Sequence, residues 1–194
     1  MCNTRARRYD RGMRRPEQWR LGQIRQALLQ DVRGRVLEIG AGTGVNLPWY
    51  PAGTDVVTLD RDPLMLAGIG SKQPQQPRLC ADAQRLPFAD NQFDFVVGTL
   101  VFCSIPQPAL ALAEIQRVLR PAGQLRLLEH VRGQRIPTRQ LTDWLSPLWL
   151  RLTQDCHLNR ETAQAVVKAG FRIDHSDIHL WGLFQQIRAT SPKR

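Results

Sequence analysis

The sequence predicts an α/β protein whose parallel sheet is wound from alternating strands and helices. Three observations carry this. A short apolar run, Val36-Leu37-Glu38-Ile39, leads directly into a glycine-spaced turn, Gly40-Ala41-Gly42-Thr43-Gly44. A β-branched run, Val56-Val57-Thr58-Leu59, ends in Asp60 and precedes a proline-led stretch. Further strand-like runs then alternate with helical ones, and that alternation is the signature of a parallel sheet.

The 194 residues suit one domain. The four cysteines, Cys2, Cys80, Cys103 and Cys156, form no C-x-x-C pair and no zinc-finger spacing. That usage points to a reducing, cytoplasmic setting rather than a disulfide framework. No apolar run approaches the roughly 18 residues that span a bilayer, and the basic start lacks the apolar core of a secretory signal. The net charge is +10, and before Val36 ten arginines stand against Asp10, Glu17 and Asp31. Residues 1–16 therefore read as a flexible basic arm, and residues 17–194 as the single domain. Such an arm fits an anionic membrane surface, nucleic acid or an acidic substrate, and equally an arm that only aids solubility.

In chain order, Leu21, Ile24 and Leu28 recur at helical spacing between Glu17 and Gln30. Val36 to Ile39 is the first strand. The glycines after it allow positive φ and remove the Cβ atoms that would block a ligand. Val45 in place of a glycine breaks the dinucleotide spacing G-x-G-x-x-G. Val45 to Pro51 reads as a short helix stopped by proline. The second strand delivers Asp60 to the same sheet edge as the glycine turn, where a carboxylate accepts from a ribose diol. Asp62 and Pro63 supply the cap and first position of the next helix.

Arg78 to Ala81 reads as the third strand. Asp82 follows it, either as an acceptor for an adenine amine or as a turn aspartate. Phe95 to Phe102 is the fourth strand. Pro106 to Arg120 is a helix with an apolar stripe of Ala111, Ile115, Val118 and Leu119, ended by Pro121 and Gly123. Leu125 to Val131 is the fifth strand. Asn159 caps a helix to Ala169 with Gly170 at its end, and Phe171 to Ile178 and Leu183 to Ala189 are the last two strands.

The stretches VLEIGAGTG, VVTLDRDP, ADAQRLPF, FDFVVGTLVFCSI and EIQRVLRPAGQLRLLEHV, in this order, resemble the class I S-adenosylmethionine-dependent methyltransferases. The resemblance implies a Rossmann-like three-layer α/β/α sandwich. Its sheet would have seven mostly parallel strands in the order 3-2-1-4-5-7-6, the last antiparallel. GTGVNLPWYP, TLVFCSI, LLEHV and QDCHLNRET further resemble the type 11 methyltransferase-like proteins that methylate alkyl thiols, and their bacterial relatives. The animal members carry a hydrophobic N-terminal anchor, where this chain has arginines.

By position, the resemblance gives Gly40, Ala41, Gly42 and Gly44 to the methionine part of S-adenosylmethionine, whose product is S-adenosylhomocysteine, and adds Asn46 to the cofactor-binding residues. Glu38 would order the turn and the ammonium group. Asp60 would hold the ribose, Arg61 would flank the adenine, and Asp82 and Ala83 would meet its edge. Thr99 and Leu100 would lie under the transferable methyl.

A thiol acceptor reacts as its thiolate. His130, Cys156 and His157 are the candidate groups to favour that form. Cys103, Trp144, Leu148 and Trp149 are the candidate acceptor wall, and the same tryptophans could equally close the core. No metal is expected, because Cys103, Cys156, His130 and His157 lack chelating spacing. Methylation of exocyclic base nitrogens is disfavoured, because Gly98-Thr99-Leu100-Val101 stands where those enzymes carry Asn/Asp-Pro-Pro-aromatic; nucleic acid is therefore not the expected partner. The expected partner is a small-molecule acceptor, with peripheral contact to an anionic membrane. A phospholipid or quinone-type acceptor and a non-catalytic cofactor-binding role remain as the other readings.

Overall fold

The structure is a computed structural model that describes residues 4–131, 140, 144, 146, 157 and 160–192. Seven strands form one sheet in the order β3-β2-β1-β4-β5-β7-β6. They are β1 (Arg35–Ile39), β2 (Asp55–Asp60), β3 (Arg78–Cys80), β4 (Phe93–Thr99), β5 (Leu119–His130), β6 (Arg172–His179) and β7 (Phe184–Thr190). Neighbours from β3 to β5 pair in parallel, and β7 runs antiparallel to both β5 and β6.

The helices are α1 (Thr4–Pro16), α2 (Gly22–Leu29), α3 (Pro63–Lys72), α4 (Pro108–Val118) and α5 (Thr162–Lys168). They make the sheet a middle layer whose central strand β1 is buried on both faces, so β1 reads as a near-continuous apolar run. Val36, Val56, Val97 and Leu128 meet Leu21, Ile24, Leu28 and Leu29 on one face. Leu37, Ile39, Val96 and Leu127 meet Leu112, Ile115 and Val166 on the other.

Register sets where ligands can bind. Ile39 pairs with Leu59 on one side and Gly98 on the other, so β1, β2 and β4 end level with one another. Ligands bind outside the carboxyl ends of such strands.

Several elements differ from their sequence expectation. Residues 4–16 do not stand apart as an arm. They form α1, continuous with α2 through a widened turn at Glu17–Leu21, in which the Gly22 N–H donates to the Glu17 carbonyl. Pro16 lies at that widening, where its ring removes a donor and crowds the preceding turn. Ala6 is buried against α3: a Cβ on Gly68 would stand 3.3 Å from the Ala6 Cβ. Asp10 accepts from the Thr43 hydroxyl and pairs with Lys72 at 2.7 Å.

Strand β5 begins earlier than Leu125. Leu119 already pairs with Phe93, and the next described pair is Phe95 with Gln124, so the residues that read as a turn protrude as a bulge. The fourth strand stops at Thr99, and Phe102–Ser104 is a 3-10 turn. Helix α5 starts at Thr162, and Asn159 lies outside the described residues.

Candidate active site at the carboxyl edge of the sheet

A cavity of about 560 Å³ opens at the ends of β2, β1, β4 and β5. Its β2 and β3 side is lined by Asp60, Arg61, Asp62, Ala81, Asp82 and Ala83. Gly40 and Gly42 line the middle. Thr99, Leu100, Val101, Cys103, Ser104, Ile105, Pro106 and His130 line the β4 and β5 side. Arg5, Tyr9 and Met13 of α1 close the wall.

The turn after β1 has φ of +61° at Gly40 and +56° at Gly42, a region that side chains rarely adopt. A Cβ on Gly40 would collide with the Val101 side chain. A Cβ on Gly42 would meet only the Met65 Cε, at 3.6 Å, so that position faces open space. Gly44 differs: its Cβ would stand 2.8 Å from Leu47, which makes it a packing glycine. Ala41 is likewise buried with Leu66 and Ile69.

Asp60 has a second task that its position alone does not reveal. Its Oδ2 accepts from the Gly42 N–H at 2.8 Å and its Oδ1 accepts from the Asp62 N–H at 2.9 Å. The carboxylate therefore holds the glycine turn, and each oxygen retains a lone pair for a diol. Asp82 accepts from the Gln84 backbone and side-chain amides at 2.9 Å, so it is a turn aspartate that also lines the cavity.

Beneath the turn lies a buried polar network. Arg25 is 2% exposed. It donates to Asn46 at 2.7 Å and to the Thr99 hydroxyl, and pairs with Glu17 at 3.1 Å. Asn46 donates to Thr99 at 2.9 Å and to Glu38 at 3.1 Å, and Tyr50 donates to the other Glu38 oxygen at 2.9 Å. Burial pushes the Glu38 carboxyl up to about 7, against the lowering effect of the Tyr50 and Asn46 hydrogen bonds and of Arg25. Glu38 and Asn46 therefore order the turn from behind and do not line the cavity. Sequence reasoning missed Glu17, Arg25 and Tyr50.

The segment after β4 is held just as firmly. Leu100 takes a positive φ of 57° and donates its N–H to the Leu128 carbonyl at 2.7 Å. Buried Glu129 accepts from the Val101 and Phe102 N–H groups at 3.0 and 3.1 Å. That carboxylate, adjacent to His130, was also missed. Residues in strained conformations like that of Leu100 cluster at active sites and ligand clamps.

His130 packs its ring on Phe184, centroids 4.1 Å apart, and burial lowers its pKa from 6.5 to about 4. It is a neutral imidazole at neutral pH. Of the other acceptor-side candidates, Cys103 lines the cavity and is 3% exposed. His157 donates its backbone N–H to the Cys103 carbonyl at 3.0 Å and is not among the lining residues. Trp144 is 77% exposed and does not line the cavity. Leu148, Trp149 and Cys156 lie outside the described residues.

The donor set fits a nucleoside with an amino-acid tail. It offers a turn left open at Gly42, a cavity-facing carboxylate at Asp60 and a small, buried Ala83 beside Asp82. Comparisons with known proteins agree with this chemistry. A family described as a methyltransferase domain matches residues 37–127. The thiol S-methyltransferase TMT1B of Rattus norvegicus is 35% identical over 158 residues, 74% of this chain and 64% of that protein. The demethylmenaquinone methyltransferase of Renibacterium salmoninarum is 42% identical over 96 residues, 49% of this chain and 40% of that protein. The chain thus spans less than two thirds of these relatives' lengths. A solved complex of the Haloferax volcanii Trm112 methyltransferase activator with a methyltransferase contains a chain of the same fold. Its TM-score is 0.79 at 18% identity, covering 97% of this chain and 95% of that one.

Proposed function

We propose that the chain is a class I S-adenosylmethionine-dependent methyltransferase that methylates a small apolar acceptor, a thiol first among them, a reading supported by the methyltransferase-domain match, the thiol-methylating relative and the shared fold. One observation carries the thiol reading. None of the described residues that line the cavity from the β4 and β5 ends is acidic, and the one imidazole there, His130, has its pKa lowered to about 4. Among the described residues, an acceptor at that wall meets no strong base. A hydroxyl would need one; a thiol, with a free pKa near 8.5, ionises by itself near neutral pH.

The bound cofactor supplies an activated methyl group. The protein's share is to hold, orient and dry the reactants. Gly40 and Gly42 admit the methionine part, Asp60 takes the ribose, and Asp82 and Ala83 take the adenine edge. Thr99 and Leu100 support the reacting end, fixed from behind by Arg25 and Asn46. Leu100, Ile105 and Met13 give an apolar wall, and neutral His130 accepts a hydrogen bond without becoming charged. The thiol-methylating relative of Rattus norvegicus supports this reading. The demethylmenaquinone methyltransferase supports a quinone-type acceptor as the second one, since an aromatic ring suits the same wall.

The test is an acceptor panel with labelled S-adenosylmethionine: alkyl and aryl thiols, quinols, phospholipid vesicles and RNA. Thiols are expected to turn over, with the rate rising tenfold per pH unit up to the thiol pKa. Methylation of quinols or lipid amines with every thiol untouched would overturn the thiol assignment and keep the methyltransferase one. Binding of S-adenosylhomocysteine without turnover across the whole panel would favour a non-catalytic partner role.

A further inference from the structure

Helix α1 has two faces with unlike chemistry. Ala6, Tyr9, Asp10 and Met13, spaced three and four apart, turn inward. The opposite face carries Arg7, Arg8, Arg11, Arg14 and Arg15, all exposed. At 3.6 residues per turn these five fall within one third of the helix circumference, in a row about 12 Å long. No acid shares that face, and among the described residues no ion pair with any of the five is found; Asp10, at its flank, is already taken by Thr43 and Lys72. Four positions after Arg15, Trp19 stands 64% exposed. Residues four apart on a helix are neighbours on its surface, which sets Trp19 one turn beyond Arg15.

We infer that this face of α1 docks on an anionic lipid surface. Guanidinium groups pair with phosphate and carboxylate oxygens in a fixed fork, and a row of them on a rigid helix is a match for a plane of headgroups. The exposed indole decides between a lipid surface and a nucleic acid. Tryptophan is favoured at the headgroup level, where one side is apolar and the other wet, whereas the phosphate ridges of a duplex give an indole nothing apolar to enter. No helix of the described residues is long and apolar enough to cross a membrane, so the contact is peripheral. The inner face of the same helix walls the cavity, so docking would bring the cavity close to the surface where apolar acceptors concentrate.

The test needs no methyl acceptor. The full chain is mixed with phosphatidylcholine vesicles with and without phosphatidylserine, and bound protein is separated by flotation. Binding is expected only with phosphatidylserine, and it is expected to fall as salt rises. Arg11→Gln should weaken it roughly fivefold, at about 1 kcal/mol per arginine near a charged surface. Replacing all five arginines by glutamine should abolish it and leave S-adenosylhomocysteine affinity unchanged. If that variant fails to fold, single Arg8→Gln and Arg14→Gln changes carry the same expectation as Arg11→Gln. Trp19→Ala should weaken vesicle binding and leave retention on heparin unchanged. No binding by the unaltered protein, equal binding to neutral vesicles, or no response to the arginine changes would overturn the inference. Tighter binding to duplex RNA than to vesicles at equal salt, insensitive to Trp19→Ala, would replace it with a nucleic-acid surface.

Discussion

A single carboxylate can brace the scaffold and line a cavity together, and Asp60 does. It holds the Gly42 and Asp62 N–H groups and faces the cavity. Asp60→Ala is expected to weaken S-adenosylhomocysteine binding by on the order of 1.5–3 kcal/mol from the lost charged hydrogen bonds, measured by calorimetry. The freed turn should also show as faster amide exchange at Gly42; unchanged affinity would remove Asp60 from the site. Glu38 gives a pH signature. Its carboxyl is raised from 4.5 to about 7, so the folded state holds the proton more tightly than the unfolded one. The stability it contributes is full below pH 4.5 and is lost as pH rises to about 7. Ionised Glu38, buried behind the turn, would add negative charge that favours the cationic amino-acid tail of the proposed ligand. S-adenosylhomocysteine affinity should therefore rise with pH through about 7, and Glu38→Gln should flatten both the affinity and the stability profiles over that range. A variant profile that keeps the slope would assign it to another group.

Whole elements were readable where local chemistry decides them. The glycine turn, the acid at the end of β2 and the Asp62-Pro63 helix start depend on neighbours in sequence, and the strand order followed from the family likeness. Arg25 shows the limit. An arginine in a helix reads as a surface residue, and its burial depends on Asn46 and Thr99, which lie 21 and 74 positions away. Helix α1 shows a different failure. Net charge hid the spacing of Ala6, Tyr9, Asp10 and Met13, which was available as a helical face. The correction changes an expectation. Deleting residues 1–11 removes Arg5 and Tyr9 from the cavity wall and cuts the Asp10–Lys72 pair. Turnover of a soluble thiol should fall, with KM for the acceptor rising more than the cofactor Kd. Unaltered kinetics would show that α1 walls nothing the reaction uses.

At the scale of the molecule, the sheet edge is a fixed platform and α1 a cover drawn over it. The platform is set by strands that end level, by buried Glu129 at the turn after β4 and by the Arg25 network behind the glycines. The cover touches the platform's ligand turn through Asp10, which accepts from the Thr43 hydroxyl. That one contact has a thermodynamic consequence. If a surface that orders α1 and a ligand that orders the turn act on linked elements, each must raise the other's affinity by the same factor. Phosphatidylserine vesicles should then tighten S-adenosylhomocysteine binding, and saturating S-adenosylhomocysteine should draw the protein onto vesicles to an equal degree. Asp10→Ala should leave both partners able to bind and make them indifferent to one another. Coupling that survives this change would have to travel by another route. Such an enzyme would draw its cofactor most tightly at the surface where its acceptor dissolves, and hold it more loosely in the surrounding water.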